Sequence, residues 1–90
     1  MAATAQSLIV QDLLMYLLKN PMAEDCLEGI VKWWLQEKHR TREVQKAIAQ
    51  LVGDSLLCVR KSTDSRIRYS MNKQKVMEIR TLLSAGGERG

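Results

Sequence analysis

Ninety residues, of which 46% are hydrophobic, support one domain with a modest core, since at this size roughly 60–65% of the unfolded surface can be buried. The formal charge of +4 is uneven: residues 1–37 carry two lysines against five acids, a net of −3, whereas residues 38–90 carry twelve basic residues against five acids, a net of +7. A basic second half favours an anionic partner, while the longest apolar run, Leu13–Leu18, falls far short of the roughly 20 residues needed to cross a bilayer.

Residues 1–6 read as a flexible start, and "MAATAQS" lacks the charged opening and apolar segment of a signal peptide. The expectation is a soluble cytoplasmic chain without a membrane partner. From Ser7 to Lys19, Val10, Leu13, Leu14, Leu17 and Leu18 form a helical stripe with Ser7 as N-cap. Leu8, Met15 and Tyr16 lie off that stripe, so the helix is apolar over most of its circumference. Either its neighbours surround it or a second copy covers it. The residue before Pro21 resists helical backbone, which ends the helix.

Asp25 followed by Glu28 fits a capping box with Asp in place of Ser or Thr. Leu27, Ile30, Val31, Trp34 and Leu35 then make the buried face of a second helix. Trp33 sits about 100° from Trp34, against the first helix or in an interface. The polar link "EKHR" leads to Thr41, a second N-cap candidate, and a third helix that buries Val44, Ala47, Ile48, Leu51 and Val52. Gly53 occupies the place of a left-handed residue that stops it.

From Leu56 to Asn72 the period changes. Leu56, Leu57 and Val59 precede the turn-prone "STDS", after which Ile67, Tyr69 and Met71 alternate with Arg66, Arg68 and Ser70. A period of two predicts a two-stranded hairpin with Ile67, Tyr69 and Met71 buried and the arginines outward. Val76, Ile79 and Leu83 give a last helix from about Lys73 to Ser84, and residues 85–90 read as a flexible tail. Residues 7–84 therefore make one domain, mainly α with a small β-hairpin.

Three helices, a hairpin and a final helix resemble a winged helix-turn-helix domain of the small bacterial regulator type. The residues carrying the resemblance are "AEDCLEGIVKWWLQ", "TREVQKAIAQLVGDSLL" and "CVRKSTDSRIRYSMN". The similarity covers about Ala23 to Asn72, and the chain departs from many such domains in having no glycine at the wing tip. It implies that the third helix lies in the major groove of double-stranded DNA with its N-terminal residues at the base edges. Arg40, Thr41, Arg42, Gln45 and Lys46 would then meet the nucleic acid, with Arg suited to guanine and Gln to adenine. Arg60, Lys61, Arg66 and Arg68 of the wing would meet backbone or minor groove. Transcription regulation is the function implied.

Winged helices also serve as protein-binding modules, so a protein partner without DNA binding is the alternative. Many such regulators dimerise through terminal helices, which makes Leu8, Met15, Tyr16 and Leu82 candidates for a homodimer interface. No enzyme is expected. His39 is the lone histidine and has no acid at catalytic spacing, and no Gly-rich phosphate loop, nucleophile motif or metal-ligand cluster occurs. Cys26 and Cys58, without CxxC spacing, are expected as buried free thiols. No cofactor or metal is expected.

Overall fold

The structure, a computed structural model, describes residues 5–87. Helix α1 (Ala5–Lys19) leads through Pro21 to a two-residue strand β1 (Glu24–Asp25). Helix α2 (Leu27–Gly29) continues directly into a π-helical segment, Ile30–Trp34. Helix α3 (Thr41–Gly53) precedes strands β2 (Leu57–Lys61) and β3 (Ile67–Met71), and a 3₁₀ turn, Lys73–Lys75, opens α4 (Val76–Gly87). The fold is mainly helical with a three-stranded antiparallel sheet in the order β1-β3-β2. Residues 1–4 and 88–90, most of the two ends expected to be flexible, lie outside the described residues. No helix among the described residues is long and apolar enough to cross a membrane.

The core forms where the helical stripes converge. Ile9, Leu13, Leu14 and Leu17 of α1 pack with Ile30, Trp34 and Leu35, with Val44, Ala47, Ile48 and Leu51 of α3, and with Ile79 of α4. Val10 and Leu18, placed on the central stripe by periodicity, are half-buried, because Ile9 takes the innermost position. Leu56, Leu57 and Met71 close the core from the sheet side.

Several local expectations are corrected. Ser7 lies inside α1, two residues after Ala5, and not at the position before its start. Asp25 belongs to β1, and its Oδ1 accepts the Cys26 N–H at 2.8 Å, so Cys26 is the N-cap of α2 and no Asp25–Glu28 box forms. The Asp25 carboxyl packs against the face of Gly29, where a β-carbon would collide with it. Arg40 caps α3 with extended backbone (φ −71°, ψ 140°), leaving Thr41 as its first residue.

Helix α3 stops at Gly53, but not through a left-handed glycine. Gly53 keeps negative φ, and the left-handed residue is Ser55 (φ 62°). The Ser55 N–H donates to the Val52 carbonyl at 3.0 Å and the Leu56 N–H to the Leu51 carbonyl at 2.9 Å. This is a Schellman motif with serine at C′. It turns the chain straight into β2 with Leu51 and Leu56 both buried.

Candidate nucleic-acid interface

Helix α3 separates into two faces. Val44, Ala47, Ile48 and Leu51 are buried, whereas Arg42, Gln45, Lys46 and Ala49 are exposed. Those four positions follow i, i+3, i+4, i+7 and so share one stripe. Arg40 and Thr41, at the helix start, are exposed as well. Among the described residues no ion pair involves Arg40, Arg42 or Lys46. The acid in the first turn, Glu43, is half-buried and lines a hollow with Ile9, Lys38, His39 and Arg40, on the flank towards α1.

Two polar ties hold α3 against α1. His39, just before the helix, places Nε2 at 2.9 Å from Asp12 Oδ2, and the Gln6 amide donates to the Gln50 side-chain oxygen. The link from the π-helical segment bends through Gln36 and Glu37, both left-handed (φ 54° and 58°). The wider π turn lets the Leu35 N–H reach the Ile30 carbonyl at 3.0 Å. Trp34 and Leu35 are then both buried, and Trp34 stacks on Tyr16 at 5.0 Å. Trp33 points to solvent, 64% exposed, with the Lys32 ammonium 5.0 Å over its ring.

The hairpin pairs Leu57 with Met71, Val59 with Tyr69 and Lys61 with Ile67 on one face, and Cys58 with Ser70 and Arg60 with Arg68 on the other. Burial on the first face fades towards the tip. Met71 is buried and Tyr69 half-buried, but Ile67 is 48% exposed, so the expected burial of Ile67 is corrected: the hairpin extends beyond the helices. Neither thiol is buried. Cys58 is exposed on the outer face and Cys26 is half-buried.

The turn is built by Asp64. Its Oδ1 accepts the Ser62 hydroxyl and the Arg66 N–H (3.2 Å for the latter), and Ser65 is left-handed (φ 68°) where glycine is usual. The Ser62 hydroxyl above all, then the Arg66 N–H, holds the Asp64 carboxyl below its ordinary pKa. Arg66 lies 3.8 Å from Asp64 Oδ2.

The wing cations are unequal in consequence. Arg60 donates from Nε to Glu24 Oε2 at 3.0 Å and from Nη2 to Glu24 Oε1 at 2.5 Å. That two-pronged bond lowers the Glu24 pKa, helped by the nearby charges of Arg60 and Arg68 and opposed by partial burial. Lys61 and Arg68 have no ion-pair partner among the described residues. Sequence reasoning left out both Glu24 and the tie between Asp64 and Arg66.

Of the dimer candidates, Leu8, Met15 and Leu82 are exposed, while Tyr16 is half-buried under its stack with Trp34. Leu82 borders a groove of about 410 Å³ with Val10, Leu14, Leu51, Leu56 and Leu83. Among the described residues no group of three or more His, Cys, Asp or Glu side chains could hold a metal ion. No family model, curated protein or solved structure matches the chain.

Proposed function

We propose that this chain is a winged helix-turn-helix module that binds double-stranded DNA in the cytoplasm and regulates transcription. The observation that carries the reading is the exposed stripe of α3, where Arg42, Gln45 and Lys46 stand side by side without intramolecular ion pairs among the described residues. An α-helix fits the major groove, and Arg, Gln and Lys are the side chains that read guanine and adenine edges there. The hairpin supports it with exposed Lys61 on one face and half-buried Arg68 on the other, neither in an ion pair among the described residues, as cations for phosphate contacts. The module works by binding and has no catalytic step.

Base contacts and phosphate contacts predict different losses. Replacing Gln45 with alanine should change the ranking of duplex sequences in a competition assay. Replacing Lys61 and Arg68 with alanine should weaken all sequences alike. Uniform weakening by both changes would remove α3 from the role of reading helix.

One observation favours the protein-binding alternative: Trp33 is exposed, as are Met22 and Met77, and large exposed Trp side chains commonly anchor interfaces. On that reading Trp33→Ala abolishes partner capture while duplex DNA is not bound at all. The exposed Leu8, Met15 and Leu82 support a homodimer that would present two α3 helices to a palindromic site.

A further inference from the structure

Arg60 and Arg68 are direct cross-strand partners on the outer face of the sheet. Two like charges in that position repel, so the pair needs a counter-ion. Strand β1 supplies it. Its pairing to β3 sets Glu24 opposite Ser70, on the same face and one pair along, and the Glu24 carboxylate reaches across β3 to grip Arg60 with both oxygens. Glu24 is only 29% exposed on its side chain, whereas Arg60 is 63% exposed. The carboxylate is thus seated against the sheet while the guanidinium faces outward.

We propose that Glu24 is a built-in competitor for DNA phosphate at the Arg60–Arg68 pair, and so a determinant of selectivity in the DNA-binding reading on which this inference rests. A carboxylate and a phosphate both accept two parallel N–H bonds from a guanidinium. With Glu24 in place, the fork of Arg60 is filled, and a phosphate finds only Arg68 of the pair open. Arg60 then contributes little sequence-independent affinity, and binding depends more on the bases read by α3. Without Glu24, two adjacent guanidiniums form an open phosphate clamp. The two-residue strand β1 is therefore more than an edge to the hairpin, because it carries the counter-ion.

The test is a double-mutant cycle, Glu24→Gln and Arg60→Ala, singly and together, read by the salt dependence of binding to a random duplex. One more phosphate contact steepens the log–log slope by about 0.9. The advantage of Glu24→Gln over the parent should therefore shrink about 3.5-fold between ~50 and ~200 mM salt. Arg60→Ala alone should leave the slope nearly unchanged, and Glu24→Gln should gain nothing in the Arg60→Ala background. An equal gain in both backgrounds would reduce Glu24 to a general surface charge and overturn the proposal. So would weaker binding by Glu24→Gln, the result expected if Glu24 only braces the sheet. If the parent chain binds duplex and the variants match it, the selectivity role fails alone. If the parent binds no duplex, the DNA reading fails and this inference with it.

Discussion

Asn72 joins three elements, and replacing it with alanine should show what that junction is worth. Its N–H donates to the Leu56 carbonyl at 3.0 Å, a backbone bond that alanine keeps. Its side-chain Nδ2 donates to the Ser55 carbonyl at 2.7 Å, and its Oδ1 accepts the Gln74 N–H at 3.1 Å, capping the turn that opens α4. Loss of the cap costs about 1 kcal/mol, and loss of the bond to Ser55 costs roughly 0.5–1.5 kcal/mol. Asn72→Ala should therefore destabilise by about 1.5–2.5 kcal/mol in urea denaturation, with the slope against urea unchanged. For a domain of this size the melting temperature should fall by roughly 6–20 °C. Asn72→Asp separates the two bonds: it retains the cap acceptor but sets an oxygen against the Ser55 carbonyl, so it should recover about 1 kcal/mol at most. An Asn72→Ala protein within about 0.5 kcal/mol of the parent would rule this junction out, because neither bond could then contribute a typical hydrogen bond.

Ser55→Gly should stabilise the fold by up to about 1 kcal/mol, since its left-handed backbone (φ 62°) strains any side chain while glycine adds back some unfolded-state entropy; a loss of stability in the same urea assay would argue against the Schellman assignment. Glu24 and Asp64 are both held below their ordinary pKa, so the stability they contribute is present above the ordinary carboxylate range and is lost as pH falls through their lowered values. Carboxyl-carbon NMR titration should find both below that range, and Arg60→Ala should move Glu24 upward; a Glu24 titrating normally in the parent would contradict the ion pair. Sedimentation at tens of micromolar should give a homodimer that Leu8→Ser with Met15→Ser converts to monomer; a parent mass of 10.3 kDa would reject the dimer.

The helical order and the hairpin were legible in the sequence because each rests on a short-range period. Val44, Ala47, Ile48 and Leu51 lie on one stripe, and the change to alternation at Ile67, Tyr69 and Met71 marks the strand. Features fixed by distant neighbours were not legible. Glu24 and Asp25 have no strand propensity and become β1 only because β3 offers an open edge. Ile67 alternates as a buried residue would, but period says nothing about how far the hairpin outruns its helices. Helix α3 does stop at Gly53, but its left-handed residue lies two positions further on, at Ser55, where serine takes the conformation that glycine usually supplies. The stripe of Arg42, Gln45 and Lys46 could be read directly. The pairing of Arg60 with Glu24, 36 positions away, has no spacing rule, so only the sheet distinguishes one wing cation from another.

The proposed function stands or falls on whether the exposed face of α3 and the unpaired wing cations meet duplex DNA. Arg40, Arg42, Lys46, Lys61 and Arg68 have no ion-pair partner among the described residues. If each meets one phosphate, the log–log slope of affinity against salt is about −4 to −5 per chain. Fluorescence anisotropy with a labelled random duplex from ~50 to ~200 mM salt measures that slope directly. Binding at the low end, with a slope in that range, is the expected result. No binding to duplex at about 50 mM salt, where even sequence-independent attraction is strong, would exclude the DNA-binding reading.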